Sequence, residues 1–234
     1  MIKVENVDVW GLNHAARAMR NPMNSWDKSD SEYVEDWSAG EDKPGYVYYR
    51  IGDHDLDLMK RLYKAGPEHR TYARMIQISM EITAPLYWWK EMDRYTVGKS
   101  QCSTSTMHKI HSKEFTTDDF SIEHLSDDKA EKFDIDVDLY SADSHAINAS
   151  DGMHVIIQLL NEYRDLYLET KDKKYWWQLI QLLPSSYNQK RTICMSYETI
   201  FKIIKERTGH KLDEWNEFVE VLKDLSYVKD IMEE

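Results

Sequence analysis

Residues His69 to Arg94 (HRTYARMIQISMEITAPLYWWKEMDR) place an imidazole and a guanidinium at the two ends of an extended apolar run that closes on Ala84-Pro85. The stretch that follows, TVGKSQCSTSTMHK, is short, polar and glycine-containing, so its backbone amides and the hydroxyls of Ser103, Thr104 and Ser105 suit a phosphate. Arg207, in TIFKIIKERTGHKLDEW, adds a cation that stays charged and donates in a fixed fork. Two aromatic doublets, Trp88-Trp89 and Trp176-Trp177, offer either core packing or a wall for a flat ring. Each feature also has an ordinary reading. His69 after Gly66-Pro67 is a helix-end residue, Arg94 a partner for Asp93 or Glu91, the Ser/Thr run a plain loop, and Arg207 an exposed arginine in a Lys/Glu-rich helix.

Several elements must position these groups. Ile2, Val4, Val7 and Val9 alternate with polar neighbours, which predicts a half-buried strand at the start. NHAARAMRN reads as a short helix ended by Asn21-Pro22, and residues 24–45 as a polar surface loop or lid. Within it and just before it, Arg20, Asn21, Asn24 and Trp26 have the mix of a ligand loop. Leu56, Met59, Leu62 and Tyr63 recur at helical spacing up to Gly66-Pro67. A central strand is expected over 72–82, ended by Pro85, with a helix in LYWWKEMDRY. Residues 112–150 are rich in Asp, Ser and Lys and read as a variable, solvated excursion. Three helices are expected after it: 153–171, 176–196 with a break at Pro184, and 198–225 with a bend near Gly209.

The 234 residues suit one domain, 1–234, with a sizeable core. A hydrophobic fraction of 41% argues against a disordered chain. No apolar run approaches the roughly 20 residues that span a bilayer, so no membrane association is expected. The start, MIKVENVDVWG, does not read as a secretory signal, and the cytoplasm is the default location. Cys102 and Cys194 lack metal-ligand spacing and are expected reduced and partly buried, with no metal site. A net charge of −12 argues against broad contact with nucleic acid, although a local basic pocket for one nucleotide is compatible with it.

The spacing of the chemical groups resembles that of the flavin-dependent thymidylate synthases over roughly residues 60 to 220. In that family a His precedes an extended apolar run, an Ala-Pro type element follows, and Arg-His-Arg opens a loop ending in Ser. His69, Ala84-Pro85 and Arg94 fall in this register, and the serine falls on Thr104, or on Ser103 or Ser105 with a shift of one. Tyr163-Arg164, Leu183-Pro184 and Arg207 continue the match. The resemblance implies an α/β (α+β) fold with a mixed sheet and long helices, a homotetramer with sites built from several subunits, and reductive methylation of dUMP to dTMP. Methylenetetrahydrofolate would supply the carbon, reduced FAD the hydride, and NADPH would reduce the flavin.

By the same resemblance Arg207 is the catalytic, uracil-contacting residue. His69, Arg94 and Ser196 fall on the flavin side, and Ser103, Thr104 and Ser105 fall at the nucleotide phosphate. Three positions depart from the pattern. Arg94-Tyr95-Thr96 replaces Arg-His-Arg, Ser196-Tyr197-Glu198 replaces a flavin-holding Asn-x-Arg, and Ile180 replaces an arginine before Leu-Pro. Either FAD sits differently, or Lys99, Lys190 or Arg191 compensate for the lost donors, or FAD is no longer used in the familiar way. Two other functions fit the departures: a divergent enzyme acting on another pyrimidine nucleotide or one-carbon unit, and a flavin-free nucleotide-binding protein of the same fold.

Overall fold

The opening alternation forms strand β1 (Lys3–Trp10), the edge of a four-stranded sheet. Asn6 takes a positive φ of 50° partway along it, and Val7 and Trp10 beyond it stay exposed. Gly11 follows at φ 89°, where a Cβ would stand 2.1 Å from the Met75 carbonyl oxygen, so only glycine permits this approach. Helix α1 (Leu12–Arg20) then buries Ala15, Ala16 and Met19 and ends, as expected, at Asn21-Pro22. A computed structural model describes residues 2–36, 46–136 and 144–233 of the chain.

The 24–45 stretch, expected to be loop, contains strand β2 (Glu32–Asp36), which pairs antiparallel with β3 (Tyr46–Arg50); its remainder, 37–45, lies outside the described residues. Helix α2 (Asp53–Ala65) buries Met59 and stops at Gly66. Strand β4 (Gln77–Pro85) starts five residues later than the periodicity suggests, because Pro67–Arg74 is a 3-10 segment in which the Tyr72 hydroxyl donates to the Met59 carbonyl at 2.9 Å. Ile78, Met80, Ile82 and Ala84 alternate along β4 and are all fully buried. Helix α3 (Leu86–Met92) carries Trp88 and Trp89 into the interior.

The Ser/Thr stretch is not a plain loop: it holds β5 (Lys99–Ser103) and the single turn α4 (Thr106–Lys109). The acidic excursion is only partly solvated. Phe115 and Phe120, near its start, join a core with Ile110, Met153, Ile157, Leu160 and Leu179. Farther on, β6 (Phe133–Asp136) pairs antiparallel with β7 (Ser144–Ile147), and residues 137–143 lie outside the described residues.

Helix α5 (Ala149–Thr170) opens on a capping box between Asn148 and Asp151 and ends at Lys171, which has a positive φ of 57°. Helix α6 (Lys173–Leu182) starts at the Asp172 cap and stops before Pro184. Beyond the proline the chain is strand β8 (Asn188–Ser196), not the continued helix expected. Helices α7 (Tyr197–Arg207), α8 (Asp213–Lys223) and α9 (Val228–Met232) complete the chain, with the break at Gly209 as expected.

The main sheet has the order β1-β4-β8-β5. The chain divides into two compact units: residues 2–82, 93–102 and 192–234 form the first, and residues 83–92 and 103–191 the second. The fold class is the expected mixed α/β one, with long helices.

Candidate functional site

In the second unit, a cavity of about 390 Å³ is lined by Thr104, Ser105 and Thr106 together with Lys109, Lys113 and Lys190. Backbone bonds hold the hydroxyl run against β8. The Thr104 amide donates to the Lys190 carbonyl at 2.9 Å, and the Gln189 side-chain amide donates to the Thr104 carbonyl at 2.8 Å. This bond and the one that Arg191 Nε donates to the Gln189 side-chain oxygen at 3.0 Å account for the burial of Gln189. Thr104 Oγ1 is turned to the Lys190 carbonyl at 3.2 Å, whereas Ser105 Oγ accepts from the His108 amide at 3.0 Å and keeps its proton to donate.

The cations of the cavity are not equivalent. Lys113 is ion-paired with Asp119, which is buried and also closes the Thr116 turn. Lys109 and Lys190 stand on the hydroxyl side. Burial, and secondarily the Asp119 charge, raise the Tyr187 phenol above its ordinary pKa, so the cavity wall stays neutral there. A small cavity with two lysines and several hydroxyls can hold one phosphate ester by charge and by hydrogen bonds. Thr104 and Ser105 both line the cavity, while Ser103 is exposed at the end of β5 and does not line it. Lys109 and Lys113 escaped sequence reasoning, because only the α4 turn brings them back beside the hydroxyls.

The remaining expected site residues belong to the first unit. Arg207 is not the exposed helix arginine of the ordinary reading: it retains 9% of its surface. Its Nε donates to the Tyr95 hydroxyl at 2.8 Å, its Nη1 lies 3.0 Å from His210 Nε2, and its guanidinium lies 4.4 Å from the Trp215 ring centre. Tyr95 in turn donates to Glu206 at 2.9 Å. Burial raises the Tyr95 pKa, the Arg207 bond opposes that rise, and the phenol is shifted upward overall. Tyr95, recognised in the sequence only as a departure, is thus the residue that orients Arg207.

Ser196 is buried and caps α7, accepting from the Thr199 amide at 3.4 Å, with its Oγ 3.3 Å from the Thr199 hydroxyl. Glu198, which stands where the resembled family has a flavin-holding arginine, is held by both Nε and Nη2 of Arg74, a partner not anticipated. His69 and Arg94 are exposed, His69 in the Pro67–Arg74 segment and Arg94 in the turn after α3.

Other expected features settle as structure. Arg20 pairs with the fully buried Asp55 at 2.6 Å, and Trp26 donates to Asn21 at 2.8 Å. Trp88 and Trp89 are core, whereas Trp177 is exposed and Trp176 donates to the Met107 carbonyl at 3.1 Å. Cys102 is exposed rather than partly buried, and Cys194 is half-buried. No helix among the described residues is long and apolar enough to cross a membrane.

The fold is that of known nucleotide-methylating enzymes. The chain superposes on thymidylate synthase X (ThyX) from Helicobacter pylori, solved with FAD and dUMP, with a TM-score of 0.64 at 16% identity over 100% of both chains. It also superposes on the UMP/dUMP methylase PolB from Streptomyces cacaoi, bound with 5-Br UMP, with a TM-score of 0.59 at 12% identity over 98% of this chain and 92% of that one. No protein-family model and no curated protein sequence matches the chain.

Proposed function

We propose that the protein is a pyrimidine-nucleotide methylase of the flavin-dependent thymidylate synthase type, acting on dUMP or a close relative. The observation that carries this reading is the Thr104–Ser105–Lys109–Lys190 cavity, which falls on the segment where the spacing resemblance puts the nucleotide phosphate. In this reading Lys109 and Lys190 replace arginine donors, and Ser105 and Thr106 supply hydroxyls. Arg207 is proposed to steady charge on the uracil carbonyls, with Tyr95 holding its plane. A homotetramer is part of the same proposal.

Methylenetetrahydrofolate is the proposed carbon source, FAD the hydride carrier and NADPH the reductant of the flavin. The residues at the family's flavin-holding Asn-x-Arg do not fit that group well, because the Ser196 hydroxyl is used in the α7 cap and Glu198 is engaged by Arg74. No step is therefore derived through the flavin. His69 and Arg94 remain exposed and are the proposed contacts on that side. The same misfit favours the second reading, a nucleotide-binding protein of this fold that works without flavin.

The experiment is calorimetric titration of dUMP and UMP into the wild type and Lys190→Met, followed by assay for dTMP with methylenetetrahydrofolate, FAD and NADPH. Binding weakened about tenfold in the variant, corresponding to one lost charged contact, supports the site. Turnover then separates the enzyme from the binder. Absence of nucleotide binding by the wild type overturns both readings.

A further inference from the structure

A second group of cations lies in the second unit near the end of α5, and of its members the nucleotide reading uses only Lys109. His111 Nδ1 and Arg164 Nε are buried and have no hydrogen-bond partner among the described residues. Arg164 is anchored through Nη1 to Asp165 at 2.5 Å, and its side chain is 17% exposed. The His111 ring meets the Tyr167 ring edge-on, centres 4.8 Å apart, and Lys171 Nζ lies 6.0 Å from the Tyr167 ring centre. Lys109 and Lys171 are both exposed, and both act on the His111 ring by charge.

We propose that His111, Arg164 and Lys171, together with Lys109, form a binding site for a multiply charged oxyanion, a phosphate or a polycarboxylate. Two buried polar nitrogens left unbonded are costly, and gathering like charges around them adds to that cost. The C-terminal end of α5 accounts for one cation at Lys171 through the helix dipole, but not for the unbonded donors of His111 and Arg164. A bound oxyanion meets both needs at once, since it accepts from the two nitrogens and offsets the lysines. The groups acting on His111 agree with this geometry: burial first, then Lys171, Lys109 and Arg164, all lower its pKa from the ordinary histidine value. An anion seated there reverses the sign of the local field, so binding should raise the His111 pKa.

The test uses the full chain, titrated calorimetrically with inorganic phosphate and with citrate, while the His111 ring is followed by NMR against pH. The expected result is saturable binding, an upward shift of the His111 pKa on binding, and a loss of about tenfold or more in Arg164→Gln and in Lys171→Gln. Lys171 is exposed, so its variant stays informative even if Arg164→Gln folds poorly. Preference for phosphate over citrate identifies a phosphate ester as the ligand, and the reverse identifies a polycarboxylate. Binding that is lost in Lys190→Met yet kept in Arg164→Gln assigns the anion to the nucleotide cavity and overturns the proposal, as does absence of saturable binding. Failure of dUMP binding would not touch it, because Arg164→Gln and Lys171→Gln are read with inorganic phosphate and citrate and not with dUMP.

Discussion

The surroundings of Arg207 and the cavity beside Thr104 and Ser105 differ in how open they are. Around Arg207 the guanidinium is enclosed by Tyr95, His210 and Trp215, and the Tyr95 hydroxyl donates a hydrogen bond to Glu206. Around Thr104 and Ser105 the backbone is tied to β8, while Lys109 and Lys190 border an open cavity. An enclosed cation contributes to stability and holds its geometry without a ligand. A cation on an open wall contributes little to folding, so its effect appears on binding. Stability and affinity should therefore separate cleanly between the two places.

The sharpest way to break that contrast is Arg207→Ala. The sequence reading of an exposed helix arginine predicts near-neutral stability, whereas the enclosed guanidinium predicts a loss of about 2–4 kcal/mol from two hydrogen bonds and a cation–π contact. Urea denaturation measures it, and a change within ~0.5 kcal/mol would return Arg207 to the surface class. Arg207→Lys should recover only part of the loss, since an ammonium cannot reach Tyr95 and His210 in one plane.

Next in size is the opposite result in the cavity. The double variant Lys109→Met, Lys190→Met should keep its melting temperature within about 2 °C of wild type while dUMP affinity falls by roughly two factors of ten. A large drop in melting temperature would show that these lysines hold the fold, and the contrast would fail.

A smaller effect is expected where the first unit packs the turn before β5 onto α7. Gly98 has φ +66°, and a Cβ there would lie 3.1 Å from Ser196 Oγ and 3.2 Å from Thr199 Oγ1. Thr199 Oγ1 also donates to the Val97 carbonyl at 2.9 Å, so the hydroxyls have little freedom to move aside. Gly98→Ala should cost about 1–2 kcal/mol in thermal or urea unfolding. No loss would mean that the α7 cap yields easily, which would return Ser196 to play as a ligand contact.

The smallest effect concerns pH. The Tyr95 phenol is raised in the folded chain by burial first, so its contribution to stability is complete below the unfolded tyrosine value of about 10 and is lost as pH climbs through the higher folded value. Replacing Tyr95 with Phe should flatten the alkaline part of the stability curve slightly. An unchanged slope would place the phenol in contact with water.

Where residues report on one face, the fold was legible from the chain. The period of Leu56, Met59, Leu62 and Tyr63 became α2, and the Pro184 and Gly209 breaks fell where the residue types required them. The hidden elements are those whose buried positions are polar or whose faces are both wet. Strand β8 buries Gln189 because its amide bonds the Thr104 carbonyl, which spoils the apolar alternation and let the α6 pattern run on past its end. The β2–β3 hairpin is exposed along most of its length and so shows no alternation to read. Phe115 and Phe120 were obscured by acidic neighbours, although both lie in the core.

The candidate cavity divides in the same way. Residue type and order marked Ser103, Thr104 and Ser105 as candidate phosphate contacts, and of these Thr104 and Ser105 line the cavity. Lys109 joins them only through the α4 turn and Lys190 only through β8, contacts that no local spacing encodes. Arg207 makes the point most plainly. Its charge and fork are properties of the residue and were known from its letter, but whether those donors face solvent, a ligand or Tyr95 depends on a partner 112 positions away. Hydrogen bonds are directional and short, so chemistry follows from composition while its direction waits on the packing that brings distant segments within 3 Å of one another.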